Sequence, residues 1–381
     1  MNRLKALGTL GQSVWLDYIR RQIIENGELR RMVDEDGLAG VTSNPAIFEK
    51  AIAGSDDYTG ALARHVAAGV VGAKALYEAL AIADIQDAAD ILRPVYARTS
   101  GRDGFVSLEV SPTLAHDTDG TLDEARRLWK AVGRDNLMVK VPATLEGIPA
   151  IRQLISEGIN INVTLLFAID MYEKVADAYI AGLDARAAAG GNVSTVASVA
   201  SFFVSRIDSV IDAKLAAKAS AASDADQQAR LTALGGKAAI ASARLAYHRY
   251  LHSFRTAHWQ ALAARGARTQ RLLWASTSTK NPAYRDVIYV EELIGADTVN
   301  TIPPATFDAF RDHGEVRPSL EESPEEAAAT LRGIEAAGIS VRDVTAHLLA
   351  DGVQQFEVAF GRLLDAVDAK SAAVPSTVGG R

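Results

Sequence analysis

Short runs of Val, Ile, Leu and Phe recur along the chain, each followed by a polar or proline-containing segment. Between them lie Ala-, Glu- and Arg-rich stretches whose apolar residues return at helical spacing, as over 124–132 and 171–189. The pattern predicts eight strands, at 13–17, 38–42, 105–110, 137–141, 159–164, 193–198, 271–275 and 298–302. Strand–helix alternation calls for a parallel sheet with helices outside, and eight such units favour closure into a single (β/α)8 TIM barrel of the α/β class. An open doubly wound sheet is the alternative. No G-x-G-x-x-G follows the first run, so the usual reason to prefer it is missing.

Two regions exceed a minimal barrel. Residues 45–104 read as several helices, one of them over 61–83. Residues 206–268 are dominated by Ala, Arg and Lys, and their low-complexity part 214–226 (KLAAKASAASDAD) consists largely of helix formers, so it is read as helix. The expectation is one barrel domain over 1–368 with helical elaborations at about 45–104 and 206–268, then a disordered tail over 369–381. Acidic 315–326 reads as a surface loop, and Ser323-Pro324-Glu325-Glu326 suits a helix start.

Composition narrows the chemistry. Length alone, 381 residues, would allow two or three domains, but a (β/α)8 barrel takes about 250 residues as one unit. A formal net charge of −7 argues against a nucleic-acid surface, so any site for an anionic substrate must be a local cluster of Lys and Arg. There is no cysteine, which removes disulfides, thiolate nucleophiles, Cys-type zinc sites and iron–sulfur clusters, and accords with a cytoplasmic protein. Residues 1–11 do not read as a signal peptide, and no apolar stretch of about 20 residues predicts a membrane span.

The most informative segment is NLMVKVPA, residues 136–143. Strand alternation puts Met138 and Lys140 on one face and Val139 and Val141 on the other. If the valines pack under the helices, Lys140 points into the barrel. Burial disfavours an ammonium, so such a lysine is either a neutral amine able to attack a carbonyl or one partner of a structural ion pair. Both readings stand on this segment alone. Three further runs carry polar groups at comparable places: SVWLD ends in Asp17, SLEVS holds Glu109, and ININVTLLF embeds Asn160, Asn162 and Thr164 among apolar residues. Their expected position is the C-terminal face of the barrel, where catalytic groups gather.

Val41-Thr42-Ser43-Asn44-Pro45 followed by Ile47-Phe48 resembles the TSNP signature of transaldolases, and NLMVKVPAT-x-EG resembles that family's Schiff-base lysine signature. The ordered set SVWLD, VTSNP, SLEVSP, MVKVPAT, INVTLLF and ASFFVSRID is similar to the family from Ser13 to Asp208, with a looser likeness in LLWASTSTKNP and DTVNTIPPAT. The longer bacterial type is the nearest match. The resemblance implies a Schiff-base aldolase-type barrel with no metal or organic cofactor, acting on sugar phosphates, as a monomer or homodimer. It implies Lys140 as the group that attacks the ketose carbonyl, Asp17 as the acid/base for the C4 hydroxyl, and Glu109 with Thr164 as holders of a water during imine formation and hydrolysis. Asn44, Asn162 and Ser201 would hold hydroxyls of the three-carbon unit, with Thr42 and Ser43 beside them. Arg206 matches the phosphate-binding arginine. Shorter relatives carry another arginine near the seventh strand. Here Ser276-Thr277-Ser278-Thr279-Lys280 stands instead, and Lys280 is the candidate replacement. Phe203 is either pocket wall or ordinary core. A fructose 6-phosphate aldolase-type enzyme is the alternative activity; such relatives are expected to carry glutamine at the position of Glu109.

Several other signals are read as structural. Trp15 is read as buried packing rather than a sugar platform. His248 and His252 lie four apart on a helix, but no H-E-x-x-H surrounds them, and Arg249 and Tyr250 mark the face as solvated. Gly235-Gly236-Lys237 lacks the spacing of a phosphate-binding loop.

Overall fold

The computed structural model describes residues 2–373. Eight parallel strands close in sequence order: β1 (Gln12–Asp17), β2 (Gly40–Thr42), β3 (Phe105–Glu109), β4 (Leu137–Pro142), β5 (Ile161–Leu166), β6 (Ser198–Phe203), β7 (Arg271–Ala275) and β8 (Thr298–Ile302). Pairing of β1 with β8 completes the ring and rules out the open sheet. Helices cover the outside, so most strands are buried on both faces and appear as apolar runs rather than clean alternation.

Register sets the heights of the inward groups. Glu109 pairs with Lys140, and Lys140 with Asn162, so three polar residues stand at one level on β3, β4 and β5. At the other end of the barrel Trp15 is fully buried, as expected for packing. Its ring lies where a Cβ at residue 40 would be, 2.4 Å from such an atom, so Gly40 is the residue that admits it.

Four strand and helix expectations shift. The strand expected at 193–198 lies at β6. Val193–Thr195 instead forms a 3-10 turn, because Asn192 accepts from the Ser194 amide and closes the chain locally. β5 begins two residues later than expected. Asn160 therefore belongs to the bottom of the barrel, where it bonds the carbonyls of Asp135 and Leu137 and the amide of Ala197. The helix expected over 61–83 is two helices, Thr59–Ala67 and Ala73–Arg98, parted at Gly69 and Gly72, whose φ values of 82° and 95° no helix accommodates. Within 214–226 the helix Ser205–Ala221 stops and Ala225–Ala233 restarts, with Asp224 capping the Asp226 and Gln227 amides.

The acidic 315–326 segment does lead into a helix, Pro324–Ala336, but Ser319 and Leu320 within it are buried. Tyr250 is also buried, ring-stacked on Tyr247 at 5.6 Å, so the face beside His248 is not simply solvated. The last described helix, Val341–Ala372, includes residues 369–372, which were expected to be disordered. Lys370 there donates to the Ser55 carbonyl. Residues 374–381 lie outside the described residues. This helix returns to the barrel, where Phe360 meets Tyr77 edge-on at 5.7 Å and Tyr77 meets Phe48 at 5.6 Å. That cluster ties Val341–Ala372 to Ala73–Arg98 and Pro45–Ala53, and so brings this helix to the barrel mouth.

Candidate active site

Several strands deliver polar groups toward their C-terminal ends, among them Asp17, Thr42, Glu109, Lys140, Thr164, Ser201 and Thr301, and the loops that follow close the rim. A pocket of about 360 Å³ opens there, within the usual range for a small-molecule site. Of the groups singled out from the sequence, Asp17, Thr42, Asn44, Lys140, Thr164, Ser201, Phe203, Arg206 and Lys280 line it. Phe203 is thus both core and pocket wall, 7% exposed. Glu109, Asn162 and Ser43 stand behind the wall. A larger cavity of about 510 Å³ lies behind the loop after β7 and shares only Lys280 with this pocket. It holds none of the strand-end groups.

Lys140 is 4% exposed. Its Nζ lies 3.1 Å from Glu109 Oε2 and donates to the Ser43 carbonyl at 2.9 Å. Of the two readings of a buried lysine, neutral nucleophile or ion-pair partner, the geometry shows the pairing, with a carboxylate and a carbonyl holding the amine. Glu109 Oε2 receives no well-directed hydrogen bond, and Thr164 Oγ1 has no protein partner. Buried polar atoms are almost always bonded, so one such atom at the pocket wall and another just behind it leave capacity for a ligand or water. Burial pushes the Glu109 carboxyl up from its ordinary value, against the opposing pull of Lys140.

Asp17 ends β1 and accepts from Thr42 Oγ1 at 2.7 Å. Burial raises its pKa, while Lys140, the Thr42 bond, Lys280 and Arg206 each oppose the rise. Ser201 donates to Asn162 Oδ1 at 2.6 Å, and Asn162 donates to Ser107 Oγ at 3.0 Å. Asn162 thus holds Ser201 at the wall. Ser43, expected to meet substrate, turns its hydroxyl onto the Ser107 carbonyl at 2.7 Å and offers only its own carbonyl, to Lys140. The backbone turns back at the next residue: Asn44 caps the helix Pro45–Ala53 through its Oδ1, which accepts from the Ile47 amide.

The rim is cationic. Arg206, at the start of Ser205–Ala221, lies over the Phe203 ring at 5.6 Å, and its Nη1 has no partner. Burial lowers its pKa. Lys280 is likewise lowered, first by burial and then by the neighbouring charges of Arg206 and Lys50. Its Nζ donates to Ser278 Oγ at 2.7 Å. Cations that repel one another and lack carboxylate partners are suited to receive an anion in an acidic protein. Lys50, Thr301 and Phe356 also line the pocket and were not singled out from the sequence. Lys50 was within reach, since it sits on the helix that Asn44 opens. Thr301 was hidden in the weaker TVNTI run. Phe356 comes from Val341–Ala372, and no local signal connects that helix to the site.

A buried lysine paired with a carboxylate, a second, half-buried carboxylate and a cationic rim form one constellation at the mouth of a closed barrel. A family model for transaldolase/fructose-6-phosphate aldolase matches residues 14–367. The chain belongs to that family. A transaldolase from Thiobacillus denitrificans (strain ATCC 25259 / T1) is 50% identical over 364 residues, 96% of this chain and 99% of the relative. A transaldolase from Trichodesmium erythraeum (strain IMS101) is 48% identical over 374 residues, 97% of each chain. A protein named transaldolase 2 from Nostoc sp. (strain PCC 7120 / SAG 25.82 / UTEX 2576) is 48% identical, covering 97% of this chain and 98% of its own. The match to the transaldolase/fructose-6-phosphate aldolase family runs from within β1 into the helix that carries Phe356, and so takes in nearly all of the barrel and most of that helix. Among the described residues no helix is long and apolar enough to cross a membrane.

Proposed function

We propose that the chain is a transaldolase of the non-oxidative pentose phosphate pathway. It moves a dihydroxyacetone unit from sedoheptulose 7-phosphate or fructose 6-phosphate to glyceraldehyde 3-phosphate or erythrose 4-phosphate. The observation that carries the reading is Lys140, buried 3.1 Å from Glu109, with Asp17 on the same pocket wall beneath Arg206 and Lys280.

In this reading the Glu109 carboxylate, made a better base by burial, accepts a proton from Lys140, whose amine adds to the ketose C2 carbonyl. Glu109 and Thr164 hold the water that carries protons as the carbinolamine loses hydroxide and becomes an iminium. Asp17 takes the C4-hydroxyl proton, the C3–C4 bond breaks, its electrons pass to the iminium, and the aldehyde leaves an enamine on Lys140. The incoming aldehyde is attacked by that enamine, and Asp17 returns its proton to the new alkoxide. Water then releases the product. Arg206 and Lys280 grip the phosphate, the arginine by paired hydrogen bonds and the lysine as a point charge. Asn44 and Ser201 hold hydroxyls of the three-carbon unit, and Asn162 keeps Ser201 in place. The enzyme is read as cytoplasmic, where its phosphorylated substrates are found.

The family also includes fructose 6-phosphate aldolases, and Glu109 rather than glutamine favours transfer. Borohydride trapping with fructose 6-phosphate, followed by peptide mapping, tests both points. A three-carbon adduct on Lys140 that vanishes when erythrose 4-phosphate is added before reduction is the expected result. An adduct lost equally fast without an acceptor would point to an aldolase, and no adduct on folded protein would defeat the reading.

A further inference from the structure

At the mouth of β1, β2 and β8 lies a chain of hydroxyls that the reaction scheme leaves unused. Thr42 Oγ1 is 2.7 Å from Asp17 Oδ1 and 2.7 Å from Thr301 Oγ1. Both threonines are 2% exposed. With Asp17 ionised, as the base for cleavage must be, proton counting sets the direction. An ionised carboxylate only accepts, so the single Thr42 proton goes to Asp17 Oδ1. The contact between the two hydroxyls must then be filled by the Thr301 proton. Thr301 is itself held: its residue pairs with Trp15 in the β1–β8 register, and its carbonyl accepts from Thr277 Oγ1 at 3.3 Å.

We propose that Thr301 is a positioning residue for the acid/base carboxylate, acting through Thr42 to tie down Asp17 Oδ1 and leave Oδ2 to exchange the proton of the substrate's C4 hydroxyl. The inference rests on the transaldolase reading for the role of Asp17. No proton travels along the relay. The C4-hydroxyl proton goes to Oδ2 in cleavage and returns from Oδ2 to the alkoxide in transfer, while each threonine keeps its own. Without Thr301 the Thr42 hydroxyl loses the donor that polarises it, and its bond to the carboxylate weakens. A carboxylate with a weaker donor binds its proton more tightly. The charged groups facing Asp17 are Lys140 from β4, Lys280 from the loop after β7 and Arg206 from Ser205–Ala221, with Glu109 from β3 close behind. None is altered in the test.

The test uses the full chain with Thr301→Val and Thr301→Ser, each also made in a Thr42→Val background. The readouts are kcat and KM with fructose 6-phosphate and erythrose 4-phosphate, the acid limb of kcat/KM against pH, and borohydride trapping. Thr301→Val should lower kcat about tenfold with KM changed by no more than about twofold, and should move the acid limb up by about half a pH unit. Its adduct on Lys140 should still form. Thr301→Ser keeps the hydroxyl and should restore both values. In the Thr42→Val background Thr301→Val should add nothing further, because the relay is already cut. A Thr301→Val enzyme with the wild-type limb and kcat would overturn the inference, as would a folded Thr301→Ser enzyme as impaired as Thr301→Val. Failure of the wild-type enzyme to form any adduct would overturn the reading of the site and this inference with it. An adduct with an unmoved limb overturns the inference alone.

Discussion

Two buried ion pairs stand on the axis of one barrel, one at each end, and they are built differently. At the bottom Arg271 Nη2 lies 2.8 Å from Asp103 Oδ1 and also bonds the Arg102 carbonyl at 2.7 Å, while Nη1 bonds Ser13 Oγ at 2.8 Å. Ser13 donates to Asp103 Oδ2 at 2.7 Å, and Trp15 Nε1 to Oδ1 at 3.1 Å. Both Asp103 oxygens and both terminal nitrogens of Arg271 thus have protein partners. At the top Lys140 and Glu109 are equally buried, yet Glu109 Oε2, Thr164 Oγ1 and Arg206 Nη1 lack well-directed partners. The lesson is that burial of a charge does not mark function. An unfinished set of hydrogen bonds beside a pocket does.

The contrast can be broken or sharpened by substitution. Lys140→Ala should lower transfer activity by roughly 10⁴- to 10⁶-fold, as loss of a covalent nucleophile does. Circular dichroism should show the fold retained, because the raised Glu109 carboxyl can protonate instead of standing as a lone buried charge. Asp17→Asn should cost about 10²- to 10⁴-fold. Reduction with fructose 6-phosphate should then trap the uncleaved six-carbon ketose on Lys140, read by mass spectrometry. At the other end, Arg271→Ala should lose about 3–5 kcal/mol in urea unfolding, because Asp103 is left without its cation. The kcat of the protein that remains folded should change by no more than about twofold, the two ends being distant and without shared partners. Thr164→Val should cost about tenfold in kcat, the worth of one hydrogen bond made in the transition state. Its unfolding midpoint should hold, since no native bond is lost.

The smallest expected effect lies along the pH axis. Burial raises the Asp17 pKa above 3.8. Its carboxylate form is the base for cleavage, so the acid limb of kcat/KM should fall above that value rather than on it. The stability sign is the reverse of a salt-bridged acid. The native state holds the proton more tightly than the unfolded chain, so the contribution is complete below the unfolded pKa and declines as pH rises toward the folded one. Asp17→Asn should therefore flatten the decline in unfolding free energy above pH 3.8. An unchanged slope would mean that Thr42 and the three nearby cations already cancel the cost of burial.

Much of the site was legible because it rests on local features. A lysine in LMVKVP, a carboxylate at the end of SVWLD and another in FVSLE are each a polar residue interrupting an apolar strand, and the strand period of two puts each on one face, which points inward once the other face packs under helices. The same local reading misplaced β6, where a β-rich VST run was captured by an Asn-closed turn, and it ran 61–83 through two glycines of positive φ. It also grouped Asn160 with the site, although it lies at the opposite end of its strand.

By itself, the sequence determined the strand–helix alternation, the residues that share a face on β1, β3 and β4, and the residue types that can form an imine and exchange protons, because periodicity and side-chain chemistry are properties of a few neighbouring residues. Tertiary structure alone decided that Lys140 meets Glu109 and the Ser43 carbonyl, that Ser43 turns its hydroxyl away, that Thr301 backs Thr42, and that Phe356 reaches the mouth. Those contacts join residues tens to hundreds of positions apart. They exist only once the sheet closes on itself and the last helix packs back across it, which no local pattern encodes.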